Sequence, residues 1–252
     1  MQDNKLVTGE HFSKEKFKRP SKEFGVLPFW FVNGEMEYEE MARQIGELAD
    51  KGMPGFIFHS RFGIKDYMAY MGKEWLARYN FAAKKAAEFG MQVWVYDEYN
   101  WPSGTCNQEI MTEHPEYTSR YLQLVINRIP GQFFTFLEGT DSRYHDLEQS
   151  EPIFACAILD ENIKNHKNEI VNLMPNISFD KVISWEAPAG PWHLCYFIER
   201  KSSWYSDVLN EEVTKEFLRK THEKYKAAVP GALPDSVKGF YTDEPAMNYF
   251  MA

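Results

Sequence analysis

The sequence predicts an α/β fold, part of a TIM-type (β/α) barrel interrupted by an inserted antiparallel β subdomain. Three observations carry this reading. Over the first half of the chain, short apolar runs alternate with segments of helical period, the pattern of βαβ units in a parallel sheet. Each apolar run ends on polar residues, as strands do at the ligand-binding face of a barrel. From Arg120 to about Arg200 the pattern shifts to strand-like alternation, and then the helical period returns.

Residues 1–24 are charged, lack an apolar period and read as an N-terminal arm. The first part of the barrel spans residues 25–119. Residues 26–32, VLPFWFV, form a nearly continuous apolar run suited to a strand buried on both faces. The run stops at the turn pair Asn33-Gly34. Residues 38–51 place Met41, Ile45, Leu48 and Ala49 on one helical stripe, with Gly52 and Pro54 as the stop. A second strand, residues 55–59, leads into Ser60-Arg61. A second helix, residues 74–89, puts Trp75, Tyr79, Ala82, Ala86 and Phe89 on one side and ends at Gly90. The third strand lies in QVWVYDEYNWPSG, residues 92–104. Its β run reaches Tyr96 and is followed by Asp97, Glu98 and an aromatic, proline-broken loop. A short helix is expected from about Gln108, with HPEY as its break.

The insert, residues 120–200, is read as strands at 121–129, 133–137, 153–159, 169–173 and 193–199, joined by turns rich in Gly, Pro, Asn and Asp. The barrel continues over residues 201–252. Asn210 is a suitable N-cap, and Glu211 and Glu212 suit the positive end of a helix dipole. Val213, Phe217, Thr221 and Tyr225 then recur every four residues to about Ala228. Residues 238–242, KGFYT, give a fourth parallel strand, followed by Asp243-Glu244-Pro245. A closed barrel needs eight such units and four are found, so the chain is expected to be truncated after the fourth strand.

Composition narrows the function. A net charge of −9 argues against a nucleic-acid binder, which needs basic patches. No run of about 18 apolar residues exists, so no membrane span is expected. The polar N-terminus lacks a secretory core. The 3 cysteines, Cys106, Cys156 and Cys195, are odd in number and suggest neither a disulfide framework nor a zinc site. Together these point to a cytoplasmic protein. An open half-barrel exposes sheet edges, which points to homo-oligomer formation.

Aromatic residues make up 16% of the chain, enough to fill a core and also to stack on sugar faces. Two strand ends carry carboxylate pairs, Asp97-Glu98 and Asp243-Glu244, each directly after an aromatic-rich run. Glycosidic bond cleavage uses two carboxylates, one to protonate the leaving oxygen and one to activate water or attack the sugar. Adjacent strand residues point to opposite faces, but a bend relaxes this, so spacing leaves open which member of each pair faces a pocket. The bland alternative is solvated loop charge. Trp30 and Asn33 are candidates for a sugar platform and a hydroxyl partner, against a core tryptophan and a turn asparagine. His59 and Arg61 are candidates for binding hydroxyls, against a structural role. Trp101 is a candidate stacking residue, against burial in its loop. A lone His59 speaks against a metal-dependent hydrolase with a histidine-rich centre, and no metal ligand is assigned.

PFWFVNGEMEYEEMARQIGELADKGMPGFIFHSR, FGMQVWVYDEYNWPSG, HPEY, YSDVLNEEVTKEFLRKTHEKY and KGFYTDEP, in this order, resemble the catalytic domain of the α-L-rhamnosidase-like glycoside hydrolases of family 106. The resemblance covers about residues 24–120 and 200–247. It implies a TIM-type barrel with a β insert, a carbohydrate substrate, and hydrolysis of terminal α-L-rhamnosides with inversion. It implies Ca2+ near the sugar, Glu244 as a catalytic carboxylate, and Asp97, Glu98 and Asp243 in sugar or calcium binding. The chain departs from the family in its length and in Val32, where an aromatic residue is expected. The alternative function is a non-catalytic carbohydrate-binding remnant.

Overall fold

The computed structural model describes residues 13–130, 152–159, 170–177, 183–188, 190–229 and 237–245. The chain forms two compact units. One holds the described residues up to Tyr117 and those from Trp204 to Pro245, and the other the described residues between Thr118 and Ser203. The expected strand at 133–137 and the last seven residues lie outside the described residues.

The first unit is a four-stranded parallel sheet. Its elements are α1 (Lys14–Lys18), β1 (Phe29–Val32), α2 (Tyr38–Asp50), β2 (Gly55–Ser60), α3 (Lys73–Glu88), β3 (Gln92–Tyr99) and α4 (Glu109–Glu113). After the second unit come α5 (Glu211–Lys220), α6 (His222–Ala228) and β8 (Val237–Tyr241). The order across the sheet is β1-β2-β3-β8, and all three pairings are parallel. Among the described residues this sheet is open and no closed barrel is formed.

Strand parity divides the sheet into two faces. Val32, Phe56, Phe58, Val93, Val95 and Val237 point to the helices and share a core with Met41, Ile45, Trp75, Tyr79 and Tyr225. The Trp75 indole donates to the Tyr225 hydroxyl at 3.0 Å inside that core, so its one polar atom is satisfied on burial. The other face carries Phe29, Phe31, His59, Tyr96 and Tyr241, whose rings pack on one another. Gly239 sits opposite Trp94 on this face. A Cβ there would come within 2.8 Å of the indole, so the large ring dictates the glycine.

Three of the boundaries that differ from the sequence reading have a clear physical cause or shape the site. β1 begins at Phe29 rather than residue 26, because Pro28 has no N–H to give a ladder. β3 extends to Tyr99, so Asp97 and Glu98 lie within the strand. The single helix expected to Ala228 breaks at Thr221 (φ −118°, ψ −77°), whose hydroxyl donates to the Phe217 carbonyl at 2.6 Å, a bond that bends helices.

The second unit is a sheet of order β4-β7-β5-β6, made from β4 (Thr118–Pro130), β5 (Pro152–Leu159), β6 (Ile170–Asn172) and β7 (Pro191–Ser206). β5 pairs antiparallel with both β6 and β7. Ala155, Ala157, Leu194, Tyr196 and Ile198 form its core with Leu173 and Trp192. Among the described residues no helix is long and apolar enough to cross a membrane.

Candidate active site

The site starts with a slip in register. Phe58 of β2 pairs with Val95 of β3, but Ser60 pairs with Tyr99. Two steps on β2 therefore face four on β3, and β3 bulges over Tyr96-Asp97-Glu98. Bulges of this kind re-aim side chains, and this one turns the two carboxylates in different directions.

Glu98 is fully buried and turns into its own loop. Oε1 accepts the backbone N–H of Tyr99 at 2.8 Å and of Asn107 at 2.6 Å. Oε2 accepts the N–H of Thr105 and Cys106, each at 2.8 Å, and of Gly104 at 3.2 Å, with the Thr105 hydroxyl at 3.1 Å. The N–H groups converge because Cys106, Asn107 and Gln108 take left-handed φ values of 48°, 57° and 68°. Such successive N–H groups form an anion-binding nest. Burial pushes the Glu98 carboxyl above its ordinary pKa, and the N–H groups of Tyr99, Asn107, Thr105 and Cys106 pull the other way. Six donors require an acceptor-only carboxylate, so the anion is the form that fits. Both oxygens are occupied by the loop, and Glu98 has none to offer a sugar or a cation.

Asp97 is also fully buried, but it ties strand ends together. Oδ1 accepts the Ser103 hydroxyl and Oδ2 the Thr242 hydroxyl, each at 2.6 Å. His222 Nε2 lies 3.4 Å from Oδ2, brought there by the helix break at Thr221. Ser103 in turn clamps the neighbouring residue: the Ser103 N–H donates to the Asp243 carbonyl at 2.8 Å, and the Asp243 N–H donates to Ser103 Oγ at 2.9 Å. Asp97 thus belongs to the framework that holds the segment after β8. It lines a separate cleft of about 250 Å³ with His222, Thr242 and an apolar wall that includes Val213 and Phe217.

The remaining polar residues meet at an open cleft of about 230 Å³ beyond the strand ends. Its floor and one wall are Phe29, Phe31 and His59, and its other lining residues are Arg61, Trp101, Asp243 and Glu244. Trp101 is 45% exposed and carries the Arg61 guanidinium 4.5 Å from its ring centre. Asp243 Oδ2 accepts the Tyr96 hydroxyl at 2.8 Å. Burial and then this bond hold the Tyr96 phenol well above its usual range. His59 is 3% exposed, and its Nδ1 has no hydrogen-bond partner. Burial, and then the Arg61 charge, lower it to about 4, so it is neutral at neutral pH. Glu244 sits in a left-handed turn with φ 43°, directed to the cleft by the Ser103 clamp one residue before it.

Five of the nine sequence candidates, His59, Arg61, Trp101, Asp243 and Glu244, are therefore brought together. Four are not. Glu98 and Asp97 are enclosed as described. Trp30 lies on the helix side of β1, where its indole donates to Gln44 Oε1 at 2.7 Å and its ring meets Phe56 and Phe58 edge-on. Asn33 is exposed beside a different cleft that also holds Trp30. Parity explains the change: Phe29 and Phe31, not Trp30, share the face of His59. The sequence reading missed these two, with Tyr96, Ser103, Thr242 and His222. The alternation in FWFV and VYDE could have shown the phenylalanines and Tyr96, whereas His222 depends on the helix break.

The family resemblance implies a calcium ion near the sugar. Calcium takes 6–8 oxygen ligands. Asp97 and Glu98 have theirs engaged by hydroxyl and N–H donors, leaving Asp243 and Glu244 as the carboxylates of the cleft. Among the described residues this donor set alone falls short of a calcium site. The one cluster of metal-ligand type among the described residues, Glu113, His114 and Glu216, lies elsewhere, and its glutamates are paired with Lys220 and Arg219.

No protein-family model and no curated protein matches the sequence. Among solved structures, the chain is similar to the rhamnosidase from Novosphingobium sp. PP1Y, with a TM-score of 0.54 and 10% identity over 91% of this chain. The chain spans 39% of the length of that protein. The likeness shows a rhamnosidase-like fold of mixed α/β type.

Proposed function

We propose that this chain carries part of the catalytic unit of a glycoside hydrolase that removes terminal sugars, with α-L-rhamnosides as the substrate class and family 106 as its kin. The observation that carries this is the cleft at the strand ends, where Asp243 and Glu244 stand beside an exposed Trp101 and Phe31. Aromatic faces and carboxylates arranged around one open cleft suit a pyranose ring. Glu244 is the catalytic carboxylate of this reading. It transfers the proton at the glycosidic oxygen or activates the attacking water. Asp243, held by Tyr96 and Ser103, positions Glu244 and faces the same ring. Asp97 acts behind them as the tie between β3 and β8.

We further propose that the open sheet belongs to a larger barrel. β1 and β8 are edge strands among the described residues, and Phe29, Phe31 and Tyr241 are exposed on the face that carries no helix. Parallel sheets are covered on both faces. Further strands of a longer polypeptide would enclose this face and bring the second catalytic carboxylate. Self-association through the same edges is the competing solution. A binding-only protein would take up sugar, lose affinity on Trp101→Ala and hydrolyse nothing. Assay of an aryl α-L-rhamnoside with the protein, beside calorimetry with L-rhamnose, separates the two functions.

A further inference from the structure

Arg61 is built unlike a hydroxyl-binding arginine. Its guanidinium lies 4.5 Å from the Trp101 ring centre, 5.0 Å from that of Phe31 and 5.9 Å from that of Phe62. Three aromatic rings surround the cation, and contact with ring faces leaves its N–H groups available for hydrogen bonds. Among the described residues Arg61 forms no ion pair, although Asp243 and Glu244 line the same cleft. Its side-chain N–H donors have no hydrogen-bond acceptor among the described residues. Beside it His59, nine-tenths buried and neutral at neutral pH, has an unpartnered Nδ1 and lines the same cleft. A half-buried, pre-oriented guanidinium with no carboxylate of its own is a receptor for one, since the planar fork matches a carboxylate in two parallel bonds.

From this geometry we infer that the cleft takes a sugar bearing a carboxylate, a uronic acid residue, with Arg61 receiving that carboxylate between Trp101 and Phe31. The inference rests on the carbohydrate reading above and narrows its substrate class. With rhamnose as the terminal ring the uronate is the ring next to it; a terminal uronate would replace rhamnose as the sugar removed. Asp243 and Glu244 line the same cleft and repel an anion, so the carboxylate is placed against the N–H groups of Arg61 on the side away from them.

The test is calorimetric binding of D-galacturonate and D-glucuronate against D-galactose, D-glucose and L-rhamnose, with wild-type protein, Arg61→Gln and Arg61→Lys. Melting curves of all three confirm folding. A charge-assisted pair predicts that a uronate binds about 10–100-fold more tightly than its neutral counterpart. Arg61→Gln should abolish that ratio, Arg61→Lys should retain part of it, and added salt should weaken uronate binding alone. Neutral sugars binding as tightly as uronates, or Arg61→Gln weakening both equally, would overturn the inference while leaving the carbohydrate reading intact. No binding of any sugar would overturn both.

Discussion

The Tyr96 hydroxyl donates to Asp243 Oδ2 at 2.8 Å, linking residues 147 positions apart across the ends of neighbouring strands. Tyr96 also packs against His59, with ring centres 3.6 Å apart and the planes tilted by 54°. One side chain thus joins the aromatic face of the sheet to the acidic rim of the cleft. Tyr96→Phe keeps the ring and removes only the donor. A lost hydrogen bond to a charged group predicts a loss of about 1–3 kcal/mol, read in denaturant titration, with unchanged far-ultraviolet circular dichroism. A change below a few tenths of a kcal/mol would show that the bond contributes nothing.

Glu98→Gln should be far more damaging than its conservative chemistry suggests. The amide replaces one acceptor oxygen with a donor that faces N–H groups already pointing at it. Leaving buried donors unsatisfied costs about 1–3 kcal/mol each, so the variant is expected to be poorly folded or insoluble. A stable Glu98→Gln protein with the same melting temperature would contradict the structural role assigned here.

Asp97 and Thr242 make a milder test. Thr242→Val preserves shape and removes the donor to Asp97 Oδ2, with an expected cost of about 1 kcal/mol. Because the clamp positions the segment that carries Glu244, turnover should fall while KM stays near the wild-type value, and Thr242→Ser should restore it. A change confined to KM would place Asp97 against the substrate instead.

His59 sets a pH dependence. Its folded pKa is about 4 against an ordinary 6.5. Above 6.5 both folded and unfolded forms are neutral. As pH falls from 6.5 to about 4 the unfolded chain takes up a proton that the folded chain refuses, so stability drops over this window and levels off below it. Nuclear magnetic resonance titration should place the His59 midpoint near 4. His59→Phe should flatten that part of the stability curve, and a midpoint at 6.5 would contradict the burial assigned here.

Much of the fold was legible because it rests on local pattern. The helical stripe of Met41 and Ile45, the glycine stops at Gly52 and Gly90, and the apolar runs of β2 and β3 each state their element without reference to the rest of the chain. The Asp243-Glu244 pair was legible as chemistry, since it follows a strand. Asp97-Glu98 looked equivalent and is not. Its fate depends on the register slip opposite His59 and on three left-handed residues at 106–108, features of pairing and backbone that composition does not encode. Trp30 was chosen for its size, whereas strand parity gives the cleft to Phe29 and Phe31. His222 reaches Asp97 only because the helix breaks at Thr221, inside an otherwise unbroken four-residue period.

The central claim is that Glu244 is the catalytic carboxylate of a glycosidase cleft. It is tested most directly by the turnover of an aryl α-L-rhamnoside by the protein and its Glu244→Gln variant, both shown to be folded. Loss of an acid–base group predicts a fall of about 10²–10⁴-fold with substrate binding retained. Equal turnover by the two proteins would contradict the claim.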